Sequence, residues 1–139
     1  MTPQQLAALH ARCFTTPRPW NAAEFAQFLA DPTYFFCMDI AGFVLGRAVA
    51  GEAELLTLAV DPDHRRAGLG RRLVQAFEAA SLVKQAETAF LEVAADNLGA
   101  HALYIASGFT ESGRRPRYYQ SPEGTKIDAI LMKKSLLSA

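Results

Sequence analysis

"VDPDHRRAGLGRRLVQAF", residues 60–77, places Arg65, Arg66, Arg71 and Arg72 around two glycines, Gly68 and Gly70. Upstream lies the apolar, β-rich run "EAELLTLAV" (52–60), which reads as a strand. Downstream, an amphipathic helix is predicted from about Leu69 to Gln85, with Leu69, Leu73, Phe77 and Ala80 as its buried stripe. A plain connection needs neither the charge nor two residues without a Cβ. A helix start carries unpaired N–H groups and the positive end of the helix dipole, and glycines let an anion approach the backbone. The loop is therefore expected to receive a phosphate.

The flanks of this stretch give the architecture. "TPQQLAALHARCF" has Leu6, Leu9, Cys13 and Phe14 close to helical spacing, with Pro3 in its first turn. Asn21 followed by Glu24 is a capping-box start for a second helix, "AAEFAQFLA", closed by Asp31-Pro32. "YFFCMDI", "FVLGRAVA" and "EAELLTLAV" read as three strands separated by turns at Gly42 and Gly51. "TAFLEVAA" is a further strand. "LGAHALYIAS" is a helix, with Asn97 as N-cap and Gly108 as its terminal glycine. The tail forms two strands around "SPEGT". The strand–helix–strand unit from Glu54 to Ala94 calls for a parallel crossover, so the class is mixed α/β.

Bulk properties narrow the function. The 139 residues suit a single domain, 1–139, and the net charge is zero, with 14 basic and 14 acidic side chains. No general attraction to nucleic acid or to a membrane surface follows, and any anion site is local. Cys13 and Cys37 are too few for a disulfide framework or a four-ligand zinc site, and His10, His64 and His101 lack metal-ligand spacing, so no metal is expected. The opening "MTPQQLAALHARCF" has no basic n-region, and no segment reaches the length of a membrane span. A cytoplasmic location is the expectation.

The phosphate loop fits neither common nucleotide pattern. A Walker loop requires Lys-Ser/Thr after its last glycine, where Arg71-Arg72 stand; the dinucleotide fingerprint requires a small residue where Leu73 stands. The order Arg65-x-x-Gly68-x-Gly70 after "LAVDP" instead resembles the acyl-CoA signature of the GNAT superfamily of N-acetyltransferases. "FLEVAADNLGAHALYIASGF" (90–109) extends the likeness through Asn97, Tyr104, Gly108 and Phe109. It is most similar to the RimI-like ribosomal-protein-alanine N-acetyltransferases. Their pattern is met by Leu91-Glu92-Val93, Asn97, Leu103-Tyr104, Arg115, Tyr118-Tyr119, Asp128-Ala129 and Met132, and an early Pro19-Trp20 also fits. The likeness runs from about Ala7 to Lys134.

The resemblance implies a central, mostly antiparallel mixed sheet splayed in the middle and flanked by about four helices. It implies acetyl-CoA as donor, held by the backbone of Leu58, Ala59 and Val60 and by Arg65, Arg66, Ala67, Gly68, Leu69, Gly70 and Arg71, with Asn97 and Tyr104 on the pantetheine arm. Tyr104 is the implied acid for the departing sulfur. Glu92 has an argument of its own: a carboxylate in an otherwise apolar strand is desolvated, which raises its pKa and suits it to act as general base, through a water. Neither cysteine falls in this stretch, which disfavours an acyl-cysteine route. The implied acceptor is the N-terminal α-amine of a protein, a ribosomal protein beginning with Ala. Trp20, Tyr34 and Tyr118 are candidates for the walls of its entrance. A monomer or weak dimer is expected.

The chain departs from the pattern at its start, where the usual first strand is missing or lies upstream of residue 1. Its absence leaves "YFFCMDI" at the sheet edge. Three rival readings stay open: the same fold acting on a small-molecule amine, a CoA-binding domain without catalysis, and a nucleic-acid binder. The tail "RRPRYY" with "SPEGT" weighs against the first, and Glu92 together with Tyr104 against the second. The zero net charge weighs against the third.

Overall fold

A computed structural model describes residues 1–65 and 68–137. Its elements run α1 (Pro3–Cys13), α2 (Ala22–Ala30), β1 (Tyr34–Asp39), β2 (Gly42–Val49), β3 (Glu52–Val60), α3 (Leu69–Val83), β4 (Thr88–Ala94), α4 (Leu98–Ala106), β5 (Thr110–Gln120) and β6 (Lys126–Ser135). Both early helices start at capping boxes, Thr2 with Gln5 and Asn21 with Glu24. The six strands form one sheet in the order β1-β2-β3-β4-β6-β5. Every neighbouring pair is antiparallel except β3 with β4, which the crossover through α3 makes parallel. With no strand before α1, β1 occupies an edge of the sheet.

Two hydrophobic clusters hold the layers. The larger joins α3 (Leu73, Val74, Phe77) to Val44, Leu55, Leu91, Ile130 and Met132 of the sheet and reaches Tyr104 and Phe109. The smaller packs Leu6, Leu9 and Phe25 of α1 and α2 on Phe43 and Ala59. Along α3 the buried residues are Leu69, Leu73, Val74, Phe77 and Ser81, with Ala80 only half-buried, which corrects the expected stripe. Ser81 is one helical repeat beyond Phe77, and its hydroxyl donates to the Phe77 carbonyl at 2.7 Å, so the polar group is buried satisfied. The helix ends at Val83, two residues short of expectation, where Gln85 turns to φ +67°.

Two irregularities in β3 create the site. Leu45 pairs with Thr57 and Gly46 with Leu55, leaving Leu56 as the extra residue of a bulge. Alternation inverts there: Ala53 and Leu55 join the α3 cluster, whereas beyond the bulge Val60 does so and Ala59 turns to α1 and α2. The parallel pairing of β3 with β4 also stops early, at Leu55 opposite Leu91. From that point β3 stays with β2 while β4 stays with β6, through Glu92–Leu131 and Ala94–Ala129. The sheet splays open in its middle.

Candidate active site

The splay opens a cleft of about 660 Å³, lined on one side by Leu56, Thr57, Leu58 and Val60 and on the other by Glu92, Val93 and Ala94. Residues of α1, of the loop after it, of the α3 start and of α4 complete its walls.

At the α3 end, Arg65, Gly68, Leu69, Gly70 and Arg71 line the cleft. Gly68 is the N-cap at φ +78°, a left-handed conformation that suits glycine, and it contributes no side-chain cap. The first-turn N–H groups of α3 are thus free of a capping side chain at a cleft that also receives two arginines. Arg65 Nε donates to the Val60 carbonyl at 3.3 Å, fixing its stem across the strand end. Arg66 and Ala67 lie outside the described residues. Gly70 has a packing reason as well as an access one: a Cβ there would stand 3.1 Å from Leu103 Cδ2 of α4. Leu58 and Val60 face the cleft, but the Ala59 side chain is buried on the opposite side, so only its backbone is available. Asn97 Oδ1 accepts from the Ala100 N–H at 3.2 Å as the α4 cap, and the residue also lines the cleft. Tyr104 is buried at the cleft wall, edge-on to Phe109, and burial pushes its phenol up, so it keeps its proton throughout the neutral range. A helix start with open N–H groups, two arginines and an unpaired strand edge fit an extended thioester donor ending in phosphates.

The opposite face of the splay is polar. Glu92 sits on the alternation opposite to Leu91 and Val93, away from the α3 cluster. Its surroundings are not purely apolar as expected: Arg115 Nε stands 3.1 Å from one carboxylate oxygen and the Tyr119 hydroxyl 3.5 Å from the other. Burial and the neighbouring Glu92 charge push the Tyr119 phenol up to about 12. Glu54, half-buried on β3, lines the same cleft, and burial followed by the Glu92 charge pushes its carboxyl up.

Trp20 lines the cleft and stacks on His10, centroids 5.0 Å apart at 7°. The other two expected entrance aromatics do not line it. Tyr34 packs on Phe28 at 4.9 Å with Arg47 over its ring, at the start of the edge strand. Tyr118 is 54% exposed beneath Arg115, and its neighbour Tyr119 takes the inward position. The register of β5 slips between Arg115 and Tyr119, with Arg117 at φ +55°, and this slip decides which tyrosine faces in. Arg115 and Tyr119 stood in the sequence pattern without a role; Glu54, Thr57 and His10 stood outside it.

His10 is buried with both ring nitrogens engaged. The Trp20 N–H donates to Nδ1 at 3.1 Å, which leaves Nε2 to carry the ring proton and donate to Thr57 Oγ1 at 2.9 Å. Burial lowers its pKa to about 4, the Glu24 charge opposing only in part. The folded-state value lies below the unfolded one, so the associated stability is complete above the unfolded pKa and is lost as pH falls toward 4. Between pH 7 and pH 5 this group should cost about 2 kcal/mol. Denaturant unfolding at the two pH values should show a drop that shrinks in His10→Gln; equal drops in both proteins would mean that His10 is not held neutral.

Residues 4–109 match the acetyltransferase (GNAT) family. The chain is 35% identical over 130 residues to the [ribosomal protein bS18]-alanine N-acetyltransferase of Escherichia coli K12, covering 91% of this chain and 87% of that one. It is 35% identical over 129 residues to the N-alpha-acetyltransferase RimI of Mycobacterium tuberculosis, covering 84% and 78%. The crystal structure of the E. coli ribosomal-protein-S18-alanine N-acetyltransferase superposes with a TM-score of 0.83 at 33% identity, over 96% of this chain and 86% of that one. The chain belongs to the acetyltransferase (GNAT) family and is an acetyl-CoA-dependent N-acetyltransferase of the RimI-like type.

Proposed function

We propose that residues 1–139 act as one domain that acetylates the N-terminal α-amine of a protein, a ribosomal protein beginning with Ala, by direct transfer. The observation that carries this reading is the placement of Glu92 and Tyr104 on one cleft, from opposite faces of the splay. The donor supplies a thioester carbonyl. Glu92 accepts a proton from the incoming ammonium, directly or through one water, and the freed amine attacks that carbonyl carbon. As the C–N bond forms and the C–S bond breaks, Tyr104 gives its Oη proton to the departing sulfur, and the second proton shed by the nitrogen restores the phenol. Arg115 and the Tyr119 hydroxyl orient the Glu92 carboxylate. Gly68, Gly70 and the arginines grip the phosphates at the other end.

The acceptor assignment is supported by the names of two relatives, a [ribosomal protein bS18]-alanine N-acetyltransferase and an N-alpha-acetyltransferase. Trp20 and Tyr119 border the entrance and offer rigid area with polar edges to a peptide chain. On this reading the enzyme works in the cytoplasm and needs neither a nucleic acid nor a membrane as partner. Incubation with acetyl-CoA and a peptide library varied at its first three residues, read by mass, tests the reading. Peptides beginning with Ala should gain one acetyl group at the terminus, and a library left unmodified would remove the assignment.

A further inference from the structure

The extra residue at Leu56 re-aims the end of β3. Strict alternation from Leu55 would send Thr57 toward the α3 cluster; with Leu56 inserted, Thr57 turns with Ala59 toward α1 and α2. It thereby stands just past the last β3–β4 pair, Leu55 with Leu91, on the same face of the splay as Glu92, and both line the cleft. The Thr57 side chain is buried there, and its oxygen already accepts from the His10 ring at 2.9 Å. The direction of that bond is fixed from the far side of the ring: the Trp20 backbone N–H occupies Nδ1, so Nε2 carries the proton. Thr57 therefore keeps its own hydroxyl hydrogen to give, and among the described residues nothing accepts it. A buried hydroxyl normally finds an acceptor, and this one borders the cavity that the acceptor molecule must enter.

We propose that Thr57 donates its hydroxyl hydrogen to the carbonyl oxygen of the acceptor's first residue while the amine of that residue lies at Glu92. The inference rests on the protein-terminus reading above and adds to it a physical reason for choosing α-amines. In a peptide terminus a single carbon separates the amine nitrogen from the first carbonyl. The two groups can therefore meet Glu92 and Thr57 across the narrow end of the splay, where β3 and β4 have only begun to part. A lysine side chain carries its amine far from any carbonyl, and a polyamine has none. Either would leave the Thr57 hydrogen desolvated without a partner, which disfavours it as a substrate. No covalent bond changes at Thr57; its hydrogen bond holds the first residue in place while the amine attacks.

The test compares kcat/KM for an Ala-starting peptide with that for the same peptide carrying a thioamide at its first peptide bond, whose sulfur is the weaker hydrogen-bond acceptor. The wild type should lose about fivefold to tenfold on the thioamide. Thr57→Val, which keeps the shape of the side chain and removes the hydroxyl, should be slower on the amide and nearly indifferent to the exchange, with CoA affinity unchanged. A Thr57 that only supports the fold would leave the full thioamide effect in the variant. That result, or a wild type indifferent to the thioamide, overturns the proposal. Should Thr57→Val fail to fold, Thr57→Cys, a weak donor of similar size, is read in the same way. If the wild type acetylates no peptide terminus, the protein-terminus reading fails by itself, and binding of alaninamide against isopropylamine to the CoA-bound enzyme decides the contact. A preference for the amide that Thr57→Val loses supports it, and a preference retained or absent overturns it.

Discussion

Glu92→Gln is expected to lower kcat by about 10²- to 10⁴-fold near neutral pH, the range of a lost general base. A glutamine keeps the shape and its contact with Tyr119 but cannot take a proton. CoA affinity should hold, because the residues proposed to grip the donor's phosphates lie at the α3 end of the cleft, away from Glu92. Folding should change little: the Glu92–Arg115 pair joins side chains 27% and 53% exposed, a setting where an ion pair is worth about 1 kcal/mol or less. The pH dependence carries the diagnosis. An α-amine deprotonates itself above about pH 8, so the variant should regain part of its rate as pH rises while the wild type levels off. A variant profile parallel to the wild type at every pH would remove Glu92 from the mechanism.

Gly68→Val is expected to weaken CoA binding by about a hundredfold, as charge-assisted bonds from backbone N–H groups to phosphate are lost. Gly68 holds φ +78°, which a β-branched residue rarely adopts, so the backbone must rotate and carry its N–H groups out of line. The new Cβ would lie 3.4 Å from Arg72 Nη1. Gly70→Val is the less clean variant, because its Cβ presses on Leu103 and moves α4 as well. Calorimetry on a folded Gly68→Val protein should show the loss; unchanged affinity would place the phosphates elsewhere.

The elements were readable because their signals are local. Asn21 with Glu24, Asn97 as an N-cap and Gly108 after α4 mark helix ends from a few residues, and α2 spans Ala22–Ala30 as its pattern predicts. The acceptor face was far less legible, because it depends on irregular pairing. The bulge at Leu56 reverses which side of β3 faces α1, and nothing in "ELLTLAV" announces it. The slip in β5 turns Tyr119 inward and Tyr118 outward, a choice that two adjacent tyrosines leave open. Glu92 looked isolated in an apolar strand, yet Arg115 reaches it from 23 positions along the chain. His10 reads as one more residue of an amphipathic helix until Thr57 and the Trp20 backbone close around its ring. Ser81 shows a smaller version of the same limit, since a buried serine is acceptable only once its hydroxyl finds the Phe77 carbonyl.

Direct acetyl transfer from acetyl-CoA to a protein α-amine is expected at the splay between β3 and β4. It is tested most directly by kcat/KM on one Ala-starting peptide that also carries an internal lysine, with free spermidine as a competing acceptor. The expected result is acetylation at the terminus alone, no product when that terminus is blocked, and at most slow reaction with spermidine. Acetylation of the internal lysine or of spermidine at a comparable kcat/KM would contradict it.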